Sequence, residues 1–443
     1  MPRVDVTLRN PRDHAIAVYA DELAAEIAKT AAQHDAAGSF PHDHFDILTA
    51  RGALRLTVPQ AHGGEGYSLY ETLIFQERLA RGSGSTALAL GWHLMVFGYL
   101  GHTLRWQPEA LASLAADAVQ RGQLINVLVT EREAGNLLRG ARPGTVARRV
   151  EGGYVLSGRK AFCSSAPRLQ KMIVYAWVED EGRVAEFLVP RTEGVRVIEN
   201  WNTLGMRSTG SHDIAFDQVQ LPPEALLSYI ELGQVGSFTV ASRAYGLQLS
   251  AVYLGVARAA RDFALGFADR YHAQSLGKSV LEAPQVQQRL GEIELLLGAS
   301  KTLLYGLVER WERHPHLQAE FGDEVAITKV TVSRNALRVV ELAMAIVGGH
   351  SLSRDLPLER YLRDVQCAQF NPPQEDTVVA SLAKAAITHW HADHPAPVEA
   401  AEPAAQAAQA PVTVPLAPSV TAEAVDPAEA AEVADAADAA VAA

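Results

Sequence analysis

The stretch Arg363–Ile387, RDVQCAQFNPPQEDTVVASLAKAAI, gathers an Arg–Asp pair, two prolines and the polar residues Asn371, Gln374, Glu375 and Asp376. Pro372 and Pro373 cannot sit inside a helix, because each lacks an N–H donor and its ring clashes with the preceding turn. The chain must break there. Two readings stand: a connector between helices, or a place where a carboxylate handles protons, which it does when desolvation brings its pKa toward neutrality. Two histidine-rich patches, PHDHFD with His42 and His44 and HWHADH with His389, His391 and His394, raise the question of metal. Neither spacing matches a strong zinc pattern and no cysteine lies near, so no metal is expected. HGGEGYS sits between helical blocks and not after a strand, so it reads as a structural loop rather than a dinucleotide turn. No P-loop and no G-x-S-x-G motif occurs.

Three blocks must position these residues. Apolar residues recur at helical spacing up to about residue 120, in IAVYADELAAEIAKTAAQHDAAGSF, SLYETLIFQERLARGSGSTALALGWHLMVFGYLG and PEALASLAADAVQRG. From Leu124 the chain turns to short runs rich in β-branched and aromatic residues, with EDEG as a hairpin turn. After Pro223 long amphipathic helices return. The expectation is an α+β multidomain protein: a helical N-terminal domain (1–123), a central antiparallel β-barrel or sandwich (124–235), a C-terminal four-helix bundle (236–393) and a disordered tail (394–443).

Composition excludes several classes. Eight acidic residues and no Lys or Arg follow His394, so most of the net charge of −12 belongs to that Ala/Pro-rich segment, which buries little. The remainder has no basic excess to favour nucleic acid or a membrane surface. No apolar run approaches the ~18–20 residues of a membrane span, and the N-terminus lacks an apolar signal segment. Two cysteines, Cys163 and Cys367, do not make a disulfide framework; a cytoplasmic location is expected.

In order along the chain, PQAHGGEGYSLYETLIFQERLAR, LVTEREAG, GYVLSGRKAFCSSA, WNTLGMRSTGSHDIAFDQVQLP and AIVGGHSLSRDLPLERYLRD together resemble the acyl-CoA dehydrogenase family, from about Asp13 to Ile387. The resemblance implies FAD between the β domain and the bundle, with a partner subunit of a homodimer or homotetramer completing the site. It makes Leu128, Val129 and Thr130 flavin contacts, with Asn136 standing where the family has Ser. A short hydroxyl suits the pyrimidine edge of a flavin. Phe162, Cys163 and Ser164 stand where the family packs an aromatic against the isoalloxazine. Gly348 and Gly349 would approach the neighbouring subunit's flavin, although Ala345 replaces a frequent Gln. Arg270 would reach that flavin's pyrophosphate, although Leu276-Gly277 replaces the family's Phe-Gly. Arg207, Ser208 and Thr209 are a structural turn or a ligand contact.

The family's reaction takes the α proton of an acyl thioester with a Glu eight residues after the Asp of Arg-Asp; here that place is Pro372. The alternative place on the first bundle helix, Arg243–Gly246, has no carboxylate. Three readings remain open. Glu375 or Asp376 serves as the base of an α,β-dehydrogenation, with a flavoprotein or oxygen as electron acceptor. Or the protein is a flavin-dependent monooxygenase of the same fold, with His93 tuning the site. Or it binds an acyl ligand without turnover.

Overall fold

The computed structural model describes residues 5–100, 106–133, 141–230, 237–274 and 277–394. Asn136 and the segment after residue 394 lie outside the described residues.

The N-terminal part is built from α1 (Pro11–Ala37), α2 (His42–Ala50), α3 (Leu69–Ala80), α4 (Gly84–Met95) and α5 (Pro108–Arg121). Their ends follow from local chemistry. Asn10 caps α1 by accepting the Asp13 amide, and Gly38 closes it in the left-handed region at φ +63°. Ser68 and Glu71 form a reciprocal capping box on α3. α3 is buried nearly all round, including the polar side chains of Gln76 and Glu77.

Every strand of the central sheet falls between Ile125 and Ile230: β1 (Ile125–Leu128), β2 (Val146–Val150), β3 (Gly153–Lys160), β4 (Lys171–Val178), β5 (Arg183–Pro190), β6 (Val195–Ile198), β7 (Asp213–Leu221) and β8 (Leu226–Ile230). The order is β6-β7-β3-β2-β4-β5-β8, with β1 joined to β4. This corrects the antiparallel barrel or sandwich expected from the sequence. The sheet is open, with β6 and β8 as separate edges, and mixed. β1 runs parallel to β4 in the register Ile125↔Lys171, and β2 also meets β4 in parallel. The four residues of β1 are all buried, as expected of a strand covered on both faces.

The C-terminal part has α6 (Ser237–Arg270), α7 (Pro284–Arg313), α8 (Gly322–Val347), α9 (Leu358–Gln366) and α10 (Glu375–Asp393), with a minute hairpin of β9 (His272–Ala273) and β10 (Lys278–Ser279). Helices α3 and α6 cross at backbone contact. A Cβ on Gly255 would stand 2.0 Å from the Glu77 carbonyl oxygen. Beside this crossing the buried Glu77 carboxylate pairs with Arg258 and accepts the Tyr305 hydroxyl at 2.6 Å. The Pro372-Pro373 break separates α9 from α10, as the missing donors require.

Candidate active site

The exits of β1 and β3 lie side by side. The Ala161 amide donates to the Thr130 carbonyl at 2.8 Å. Beneath them Lys160, with no exposed surface, donates to Glu131 at 2.6 Å, and Glu131 also accepts the Thr145 amide and hydroxyl at 3.0 and 2.7 Å. Burial raises the Glu131 pKa, but Lys160 and Thr145 outweigh it and hold the carboxyl below its ordinary value. This buried pair fixes the strand ends. Leu128 is buried, Val129 half-buried and Thr130 exposed.

The turn after β3 is strained. Phe162 has φ +57° and Ser165 φ +64°, in a region that costs a non-glycine residue about 1 kcal/mol or more. The Phe162 ring is 52% exposed, although large apolar rings are usually buried. It meets Trp201 edge-on at 6.2 Å and lies 5.4 Å from the Arg132 guanidinium. Arg132 is held by Asp213 at 2.9 Å. Behind the ring runs a chain of buried hydroxyls: Ser164 to Ser211 at 2.9 Å, Ser211 to Thr209 at 2.7 Å, and Thr209 donating to the Met206 carbonyl at 3.0 Å. Trp201 donates to the same carbonyl at 3.1 Å. Cys163 is buried, and burial pushes its thiol far above the ordinary range, so it is not a reactive thiolate. The structure therefore brings Leu128–Thr130 and Phe162–Ser164 together, and seats Arg207–Thr209 behind them.

Arg270 and Gly348–Gly349 form a different corner. His350 meets Phe267 and Tyr271 of the α6 end at 5.6 and 5.5 Å. Arg270 is exposed, and a Cβ on Gly348 or Gly349 would meet nothing within 4 Å.

The Pro-Pro segment is anchored to α6 by the Tyr253 hydroxyl, which donates to Asn371 at 2.5 Å. Glu375 is bound by Arg334 at 2.5 Å. That bond holds the carboxyl below its ordinary pKa, with Lys329 adding to the effect. Asp376 is exposed and accepts the Thr377 amide. His93 is 1% exposed, its Nε2 donating to the Leu54 carbonyl at 2.7 Å and its Nδ1 accepting the Ile125 amide at 3.1 Å. Both nitrogens join α4 to β1, and burial lowers the pKa to about 4.

Two groups were not anticipated from the sequence. The first is Asp364, whose Oδ1 accepts the Met206 amide at 2.6 Å while its neighbour Arg363 binds Asp35 at 2.5 Å and the Leu204 carbonyl at 3.0 Å. This seam joins α1, the 199–211 loop and α9. Burial pushes Asp364 up to about 6, and the Met206 amide pulls the other way. The folded protein thus holds this proton more tightly than the unfolded chain, so stability falls as pH rises from about 4 through about 6. The difference corresponds to about 3 kcal/mol above that window. Asp364→Asn keeps an acceptor for Met206. It is expected to raise Tm relative to wild type at pH 8 and to raise it clearly less at pH 4.5. Equal shifts at both pH values would exclude this origin.

The second is a buried amide cluster between α3, α4 and α6. Gln76 is fully buried with neither amide atom bonded, and Gln248 donates to the Gly91 carbonyl at 3.2 Å with its own oxygen unbonded. A Cβ on Gly91 would stand 2.9 Å from the Gln248 amide nitrogen and 3.7 Å from that of Gln76. On the same helices Trp92 and Tyr245 pack at 3.8 Å, and the Tyr245 hydroxyl is buried and unbonded.

Comparison with known proteins agrees with this architecture. Residues 13–104, 126–219 and 247–371 match the family models for the acyl-CoA dehydrogenase N-terminal, middle and C-terminal domains. The chain is 40% identical over 369 residues to "Putative acyl-CoA dehydrogenase YdbM" of Bacillus subtilis, covering 82% of this chain and 94% of that one. It is 31% identical to L-evernosamine nitrososynthase of a Micromonospora strain, covering 84% and 90%. Its fold superposes with a TM-score of 0.74 on KijD3 in complex with FMN and a dTDP-linked amino sugar, at 28% identity, covering 86% and 95%. Helical N-terminal region, central sheet, C-terminal helices and sequence agree, and the chain belongs to the acyl-CoA dehydrogenase family of flavin-dependent oxidoreductases.

Proposed function

We propose that the protein is a flavin-dependent monooxygenase of the acyl-CoA dehydrogenase fold, with the flavin ring against the Phe162 turn. One observation carries the choice of reaction: Glu375, the carboxylate nearest the family's base position, is held ionised by Arg334 instead of being raised toward neutrality. Taking an α proton asks for the opposite environment. The nitrososynthase and the FMN complex of KijD3 support a reading in which such a base is not needed.

The site residues fit a flavin. Phe162 offers a half-exposed apolar ring, Val129 and Thr130 offer backbone polar groups beside it, and Trp201 with the Arg132–Asp213 pair flanks the ring. When bound, the flavin supplies two-electron chemistry and, once reduced, activates oxygen. The chain's own part is to hold the ring plane, exclude water through the buried hydroxyl chain behind it, and orient a substrate. Gln76, Gln248 and Tyr245 offer hydrogen bonds to a polar substrate lying between α3, α4 and α6. FAD, implied by the family resemblance, and FMN, present in the KijD3 complex, are distinguished by chromatography of the flavin released on denaturation.

A second reading is dehydrogenation of an acyl thioester. It is favoured by the Tyr253–Asn371 bond, which ties the segment leading to Glu375 against α6. In that case substrate binding would break the Arg334 pair. The deciding experiment mixes purified holoprotein with short- to long-chain acyl-CoA thioesters without oxygen, and separately follows oxygen uptake by protein supplied with reduced flavin. We expect no anaerobic bleaching, and oxygen consumption unchanged in Glu375→Gln. Bleaching by an acyl-CoA, lost in Glu375→Gln, would overturn the monooxygenase reading. Phe162→Ala is expected to weaken flavin binding at least tenfold by fluorescence titration while leaving the Tm of the flavin-free protein within a few degrees, because so much of the ring is already in solvent.

A further inference from the structure

Outside this site, His34 near the end of α1 and Asp43 and His44 at the start of α2 point their donor atoms at one another. One ligand atom from each lies within 4.8 Å of the other two. His34 Nε2 is 2.7 Å from Asp43 Oδ1, and the His34 and His44 rings are 5.2 Å apart. The outer nitrogens are held from behind. His34 Nδ1 meets the Ser39 hydroxyl at 2.9 Å, and His44 Nδ1 meets the Thr86 hydroxyl at 2.8 Å. Metal-binding histidines are oriented in this way by a partner on the remote nitrogen.

Thr86 donates its hydroxyl hydrogen to Ser83 at 3.0 Å, which leaves its oxygen as an acceptor for His44 Nδ1 and turns His44 Nε2 toward the cluster, 2.9 Å from the Thr30 hydroxyl. Thr30 in turn donates to Asp43 Oδ2 at 2.8 Å, so one hydroxyl bridges two of the three groups. The His44 ring is fully buried.

We propose that His34, Asp43 and His44 form a binding site for a divalent transition-metal ion, zinc being the best match to two imidazoles and one carboxylate. A tetrahedral ion with bonds of about 2.0–2.1 Å needs its ligand atoms about 3.3 Å apart, a small opening from the His34–Asp43 distance. Arg360 of α9 acts electrostatically on His44 and works against a cation, so the negative charge of Asp43 is required. The individual signals were in the sequence, but His34 lies in the preceding helix, seven residues before PHDHFD begins at Pro41, and only the α1–α2 turn brings it round. The site would clamp α1 to α2 one residue before Asp35, which anchors Arg363.

The test uses the full chain, dialysed against chelator and re-equilibrated with zinc or cobalt alone. We expect close to one zinc per chain by elemental analysis, a Tm raised by several degrees, and a cobalt visible spectrum of four-coordinate intensity. Asp43→Asn, at a side chain 45% exposed, is expected to fold and to bind at least tenfold more weakly. His34→Gln should do the same. His391→Gln/His394→Gln, which removes histidines at the end of α10, should leave the stoichiometry unchanged. No bound zinc in the wild type, or binding that survives Asp43→Asn and His34→Gln or disappears with the α10 histidines, would overturn the site.

Discussion

Gly205→Ala is expected to strip the protein of its flavin and to lower its stability by more than about 3 kcal/mol, above the usual cost of an overpacked site. A Cβ there would stand 1.9 Å from the carbonyl oxygen of Arg363 and 2.8 Å from the Asp364 amide nitrogen. Both are backbone atoms, and neither can step aside by changing a rotamer. The loop and α9 must part, and with them go the Met206–Asp364 bond and the Arg363 contacts to Asp35 and Leu204. Met206 also carries Trp201 and Thr209 through its carbonyl, so the disturbance reaches the Phe162 turn directly. Calorimetry and flavin absorbance after gel filtration measure the two losses. A variant that melts within about a degree of wild type and stays yellow would show that loop and helix separate at little cost.

Arg258→Met is expected to lower stability by about 3–5 kcal/mol, the usual cost of leaving a buried charge without its partner. Glu77 is fully buried, and Arg258 and Lys301 outweigh the burial that would raise its pKa. With Arg258 gone, the Tyr305 hydroxyl is its remaining hydrogen-bonded neighbour among these groups. The double variant Glu77→Leu/Arg258→Met removes both charges and should recover most of the loss. Urea midpoints at unchanged m-value measure both. If the double variant is as unstable as the single one, the loss lies in packing at the α3–α6 crossing and not in the stranded charge.

Much of the architecture was legible because it is local. Helical periodicity, the Ser68/Glu71 capping box and the EDEG turn are written within a few residues of where they act. The open, mixed sheet was not legible. β1 pairs in parallel with β4, more than forty residues on, and nothing in INVL marks its partner. The Arg258–Glu77 pair spans 181 residues for the same reason. At the proposed site, the strand ends and the Phe162 turn were singled out through resemblance, whereas the left-handed backbone of Phe162 was not, because the sign of φ in a non-glycine residue is set by its surroundings. His93 gave a usable signal: in LGWHLMV it is flanked by apolar residues, and it proves to be a core crosspiece between Leu54 and Ile125. Asp364 lay in the Arg-Asp pair from which the base was counted, but its own burial could not be read from that pair.

The Met206–Asp364 bond also bears on the order of events during synthesis. It closes over 158 residues of chain, so the sheet can emerge and pair well before the helix that secures its 199–211 loop exists. A nascent chain ending short of Asp364 can form its strands yet leaves Met206 without its acceptor and the Trp201 side of the proposed flavin site untethered. With the flavin at the proposed site, its capture falls among the last events of folding, after the ribosome has delivered α9.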